Sequence, residues 1–224
     1  GRKTINFTDD EYPKELNVLD TREKPLILFV KGNEKLLYEG KRVAIIGTRE
    51  PTTFAGKMTQ RITEKISEAE FIVVSGLAKG CDCLAHEMAS IKNGRTIAIL
   101  AHGLDLPVYP KENRELANDI LRNGGALVSE YPIKTSLRPN YLVERDKWQS
   151  GMSSGVIMIE SSERGGSRHA CNAAIAQNRV LGVLDHTQHI DVQGNPVIAT
   201  DNTFSLHQKL LKDDSYKVYP LYSL

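Results

Sequence analysis

Apolar runs of four to six residues recur along this chain and alternate with longer stretches of helical period. The runs cover 25–30, 42–47, 71–75, 95–100, 126–129, 155–160 and 179–184, and helices are expected over about 53–69, 81–93, 112–123, 141–151 and 168–177. Strands that are apolar throughout belong inside a parallel sheet covered on both faces. Their alternation with helices over short connections predicts an α/β fold: a doubly wound, mostly parallel, extended Rossmann-like sheet in three layers. The run at 25–30 ends in a Gly32-Asn33 turn and reads as an edge strand, so residues 1–40 are expected to form an N-terminal sheet extension and 41–190 the core. After His186 the apolar density falls, Gly194-Asn195-Pro196 marks a turn, and a short helix is expected near 203–211. Residues 191–224 therefore read as an extension packed on the core. Neither an internal repeat nor a low-complexity linker interrupts the pattern.

Composition narrows the options. The 224 residues suit one large domain, and 29 Lys and Arg against 28 Asp and Glu leave a formal charge of +1. Binding to nucleic acid through a globally basic surface is excluded, and only a local site remains. No apolar run approaches the ~20 residues of a membrane span, and Gly1-Arg2-Lys3-Thr4 does not open a signal peptide. A cytoplasmic protein without a membrane partner is the simplest reading. Three cysteines, Cys81, Cys83 and Cys171, are too few for a disulfide framework.

Candidate chemistry gathers where strands give way to helices. At 42–51 a buried strand ends on Gly47, followed by Thr48, Arg49 and a helix start near Thr53. Gly47 admits a close approach to the backbone, the first amides of the helix favour an anion, and Arg49 adds a fixed cation. A plain turn with a solvated arginine is the alternative. A second strand ends in Ser75-Gly76-Leu77-Ala78-Lys79-Gly80-Cys81-Asp82, again with glycines, a hydroxyl and a lysine. Asp82 reads as a helix cap and His86 as a packed histidine. Cys81 and Cys83 stand at i and i+2, which do not face each other on a helix, so no metal site is expected. The strongest phosphate signal is Gly165-Gly166-Ser167 at the opening of another helix. Arg145 and Lys147, just before the same strand, either supply paired cations to that rim or lie on a solvated helix face. Tyr109, in a Gly- and Pro-punctuated loop, either packs or faces a ligand. Trp148 either stacks a base or fills the core.

Several of these stretches carry a resemblance when read in order. Lys31-Gly32-Asn33, Ala44-Ile45-Ile46-Gly47-Thr48-Arg49, Ser75 through Asp82 with Ala85-His86, Gly103-Leu104-Asp105 with Tyr109-Pro110 and Asn113, and Ser129-Glu130-Tyr131-Pro132 together resemble the DNA-processing protein A (DprA, or Smf) family over about residues 11–184. The resemblance implies an extended Rossmann-like domain, usually dimeric, that binds single-stranded DNA in a basic pocket and helps load RecA during natural transformation. It also implies pocket roles for Gly47, Arg49, Ser75, Gly76 and the turn Gly165-Gly166-Ser167. The chain departs from the family's F-x-x-R-N-R-x-I-x-G-L-S run, where it has Leu142 through Ser153 with Asp146 for the Asn and Lys147 for the second Arg. Cys81 stands where the family has an aliphatic residue. The sequence reads as close to the bare core, without a leading helical domain or a winged-helix tail.

The expectation is a non-enzymatic binder of single-stranded DNA that needs no cofactor, forms a homodimer and works with a RecA-type recombinase. Gly47, Thr48, Arg49, Ser75, Gly76, Lys79, Arg145, Lys147, Gly165, Gly166 and Ser167 are its candidate contacts. The alternative is a nucleotide-binding or nucleotide-hydrolysing protein related to the cytokinin-activating phosphoribohydrolases, with Glu160 or Asp82 acting near a ribose. Those enzymes carry P-G-G-x-G-T-x-x-E; here Glu163 through His169 lacks both the second glycine-threonine and the glutamate. A purely structural module is the third class.

Overall fold

The computed structural model describes residues 2–188, 202–213 and 216–222; the expected Gly194-Asn195-Pro196 turn and the boundary at 190 lie outside them. The strands are β1 (Arg2–Asn6), β2 (Ile27–Gly32), β3 (Arg42–Ile46), β4 (Ile72–Ser75), β5 (Thr96–Ile99), β6 (Ala126–Ser129), β7 (Gly155–Met158), β8 (Val180–Leu184) and β9 (Val218–Leu221). The α-helices are α1 (Thr53–Glu68), α2 (Cys81–Lys92), α3 (Arg114–Arg122), α4 (Pro139–Met152), α5 (Ser167–Ala176) and α6 (Ser205–Leu211). All these strands join one sheet in the order β1-β2-β6-β5-β4-β3-β7-β8-β9. From β6 to β9 neighbouring strands run parallel, whereas β1 and β2 are antiparallel additions.

Side-chain alternation along the buried strands builds the layers. Ala44, Ile46, Ile72 and Val74 share one hydrophobic cluster with Trp148 and Met152 of α4 and Ala170, Cys171 and Ala174 of α5. The intervening Ile45 and Val73 face Phe54, Ala55, Met58 and Ile62 of α1 and Ala85 and Ala89 of α2. The sheet is thus sandwiched as the sequence predicts, and Trp148, 1% exposed, belongs to the core rather than to a base platform.

Arg42 and His86 are among the polar residues built into this core. Arg42 is 2% exposed; it pairs with Glu15 at 2.5 Å and donates to the carbonyls of Met152, Leu36 and Gly40. It straps the N-terminal segment and the end of α4 to the start of β3. His86 is fully buried with its Nδ1 2.8 Å from the Thr96 hydroxyl. Burial lowers its pKa to about 3, which keeps the ring neutral and unfit to act as a base near pH 7.

Two strands were not anticipated. β1 pairs outside β2, so the 25–30 run lies second from the edge instead of on it. β9 closes the other edge with Pro220 in it, a residue tolerated where no donor is needed. The topology sets up the site. β3 leads through α1 to β4 on one side, and its neighbour β7 leads through α5 to β8 on the other. Helices leaving adjacent strand ends for opposite faces open a crevice at that switch point.

Candidate functional site

A cleft of about 490 Å³ fills the crevice. Its walls are the Gly47–Arg49 turn after β3, the Ser161–Gly166 segment after β7, Ser167 and His169 of α5, and one face of α4. Leu142, Arg145, Asp146 and Gln149 form that face, at helical spacings of three and four. Lys147 falls outside it. Two positions beyond Arg145 the helix has turned away, and Lys147 pairs with Glu23 at 2.8 Å and Glu144 at 3.1 Å. The expectation that Arg145 and Lys147 face the rim together is therefore not met.

The β3 turn is locked by its neighbour. A Cβ on Gly47 would collide with the Cys81 side chain, while the Cys81 amide donates to the Thr48 carbonyl at 3.1 Å. Gly80, at φ +77°, lies against that carbonyl with no room for a side chain. Burial pushes the Cys81 thiol up to about 12, so it packs and does not react. Cys83 lies against the Asn113 amide, and among the described residues no cluster of three or more His, Cys, Asp or Glu side chains offers a metal site.

The opening of α1 departs from expectation more sharply. The Glu160 carboxylate is fully buried and accepts from the Thr52 amide at 3.1 Å and the Thr52 hydroxyl at 2.7 Å. Thr52 in turn caps the helix by accepting from the Ala55 amide at 3.2 Å. The anion favoured by this helix N-terminus is thus supplied by the protein itself. Thr48 and Arg49 still line the cleft.

The Gly76–Gly80 loop is clamped from three sides. Asp82 accepts from the amides of Gly76 at 3.1 Å and Ala78 at 3.2 Å. Asn113 donates to the carbonyls of Leu77 and Ala78, and Arg145 donates to the Gly76 carbonyl at 2.5 Å. Asp82 therefore organises the loop before α2 rather than capping the helix, whose N-cap is Gly80. Ser75 is fully buried, donates to the Ile45 carbonyl at 2.7 Å and ties β4 to β3 without lining the cleft. Gly76 and Lys79 line a second, smaller recess of about 60 Å³ beside the cleft. Lys79 is held there by Glu112 at 2.8 Å, an exposed pair of small energetic weight.

The turn before α5 is different. Gly165 donates to the Ser162 carbonyl, and a Cβ there would strike the Ser161 hydroxyl. The amides of Arg168 and His169 close back onto Gly165 and Gly166. Among the described residues nothing approaches within 4 Å of a Cβ built on Gly166. Gly166 serves as N-cap, Ser167 is the first helical residue, and both line the cleft.

The charges of the lining nearly balance. Arg145, 7% exposed, pairs with Asp146 at 3.2 Å. Burial raises the pKa of both Asp82 and Asp146, against the opposing field of the Arg145 guanidinium. Gln149, 2% exposed, faces the cleft with its Nε2 lacking a hydrogen-bond partner among the described residues. Of the four expected cations, Arg49 is the one that lines the cleft with an exposed side chain and no described ion pair. Arg164 and Arg168, exposed beside the α5 turn, add cations that the sequence reading passed over. Asn113 and Gln149 were also missed as site builders, and Glu160, expected near a ribose, binds Thr52 instead. A polar residue at the end of an apolar strand was the available signal for Glu160.

A switch-point cleft at strand C-termini, with an open helix N-terminus and an arginine that has no ion pair among the described residues, is the arrangement in which Rossmann-like folds hold anionic ligands. Residues 3–208 match the family described as DNA recombination-mediator protein A, and the chain belongs to that family. It is 32% identical over 197 residues to the DNA processing protein DprA of Bacillus subtilis, covering 88% of this chain and 65% of that one. It is 33% identical to the protein Smf of Escherichia coli, covering 77% and 45% of the two chains. Among solved structures, the DNA processing protein A of Streptococcus pneumoniae superposes with a TM-score of 0.82 at 28% identity, covering 97% of this chain and 70% of that one. The Helicobacter pylori protein, described for its single-stranded DNA binding mode, gives 0.74 at 27% identity, covering 95% and 96%. Among the described residues no helix is long and apolar enough to cross a membrane.

Proposed function

We propose that this chain binds single-stranded DNA in the switch-point cleft and acts in DNA processing and recombination. The observation that carries the proposal is the exposed Arg49, without an ion pair among the described residues, on the wall of a cleft whose other wall is the open Gly166-Ser167 helix start. Arg49 neutralises a phosphate there while Ser167 and the backbone amides position the strand. The solved Helicobacter pylori relative, named for binding single-stranded DNA, supports the same ligand class. Family membership carries the remainder of the proposal: a homodimer, a RecA-type recombinase as partner and a cytoplasmic place of work.

Nucleotide hydrolysis draws no support from the candidate carboxylates. Glu160 is spent on Thr52, and Asp82 on the amides of Gly76 and Ala78. We therefore propose binding without catalysis.

The test is fluorescence anisotropy of a labelled oligo-dT at low and moderate salt, with wild type, Arg49→Ala and Lys147→Ala. Wild-type binding weakens with salt, and Arg49→Ala lowers affinity and reduces the salt slope by about one. Lys147→Ala behaves as wild type. No binding at low salt, or an Arg49→Ala variant that binds unchanged, overturns the proposal.

A further inference from the structure

The main cleft and the small recess beside it share a wall made by Arg49, Ala78, Leu142 and Arg145. On the far side of that wall stands Tyr109, 48% exposed, with Pro110 and Lys79. The recess, at about 60 Å³, is far too small to enclose a nucleotide. Its lining offers a shelf instead: the exposed Tyr109 ring, Arg49, which also lines the cleft, and Lys79, which pairs with Glu112. An exposed ring with cations lining the same recess is what a stacked base needs, since every base has a π-face and every linkage a charge.

Resting on the reading of the cleft as a DNA site, we infer that Tyr109 is a second base-binding position. One nucleotide enters the cleft, the phosphate that follows sits at Arg49, and the next base stacks on Tyr109 with its outer phosphate toward Lys79. The ligand is thus read as a strand of at least two nucleotides rather than a mononucleotide. The Lys79–Glu112 pair opens to receive it, which costs little because both partners are about half exposed.

The inference has a structural basis beyond exposure. The loop carrying Tyr109 is joined to the cleft through Asn113, whose amide holds the carbonyls of Leu77 and Ala78. Shelf and cleft wall are thereby fixed relative to each other, which sets the spacing between the two base positions.

The experiment compares dTMP, dT2 and dT6, with and without a single abasic position, against wild type, Tyr109→Ala, Tyr109→Phe and Arg49→Ala. Expected results are roughly tenfold weaker binding of dT6 by Tyr109→Ala, in the range of one lost base–aromatic stack, and wild-type affinity for Tyr109→Phe. Binding of dTMP does not change in either variant, and an abasic step removes the advantage of wild type over Tyr109→Ala. Equal binding of dT6 by wild type and Tyr109→Ala, with Arg49→Ala still impaired, overturns the second position and leaves the cleft reading intact. Absence of wild-type binding to every oligonucleotide overturns both.

Discussion

The helix openings of α1 and α5 stand side by side at the switch point, and their sequences advertise the same thing: a strand, glycine, a hydroxyl and a helix start. The structure treats them oppositely. At α1 the anion is Glu160 from the end of β7, buried and bound to Thr52, so the helix dipole is answered inside the fold. At α5 no carboxylate reaches the turn among the described contacts, and no described residue comes within 4 Å of a Cβ built on Gly166. A strand–glycine–helix signature therefore marks a place where an anion is favourable, without saying whether the anion is a ligand or a side chain. The deciding residue here lies more than a hundred positions away, just past the end of the neighbouring strand β7.

The largest way to break this comparison is to remove the internal anion. Glu160→Ala leaves the Thr52 amide and hydroxyl without their acceptor and is expected to cost about 2–3 kcal/mol of stability, measured by urea unfolding. If α1 differs from α5 only in being filled, inorganic phosphate restores part of that loss in the variant and does little for wild type. A variant as stable as wild type would show that Glu160 is not what satisfies the helix.

A smaller effect separates the two glycine turns directly. Gly47→Ala drives a methyl into Cys81 and is expected to destabilise by about 1–3 kcal/mol, as overpacked sites do. Gly166→Ala projects into the open mouth of the cleft, at an ordinary helical φ of −60°, and changes stability little. Its effect belongs to oligonucleotide affinity, which falls. Thermal unfolding and anisotropy on the same two variants separate packing from binding, and matching profiles would erase the distinction.

The smallest effect concerns the balance of charge. Because burial holds the carboxyls of Asp82 and Asp146 above the usual aspartate range, acidification toward that range neutralises them while Arg49 and Arg145 stay charged. Binding a phosphate favours the protonated forms, so protons are taken up and affinity rises as pH falls. Asp146→Asn is expected to bind oligo-dT a few-fold more tightly at pH 7, by roughly the weight of one partly screened charge, and to flatten the pH dependence. Weaker binding on acidification above the point of unfolding would reverse this sign.

Much of the architecture was legible because buried parallel strands are written as continuous apolar runs. β3, β4, β5 and β7 carry their burial in their composition, and each is followed by a helix of clear period. β1, with Lys3 and Thr4 inside it, and β9, with Pro220, lack that signal because edge strands keep solvent on one side. At the site, the positions of the turns could be read and the directions of the side chains could not. Arg145 and Lys147 look equivalent on paper; the rotation of α4 buries one against Gly76 and leaves the other to Glu23. Lys79 likewise reads as a free cation until Glu112, from a distant loop, is found beside it.

The contact between Gly76 and Arg145 has a consequence for how this chain can vary. A Cβ at position 76 would land on the guanidinium, and the same guanidinium holds the Gly76 carbonyl. An exchange at either position disturbs the other: a side chain at 76 obliges the guanidinium to move off the carbonyl it holds, and a shorter residue at 145 vacates the bond that pins the loop. Positions 69 apart in the chain are thus bound to a common fate, and their permitted changes come as a pair.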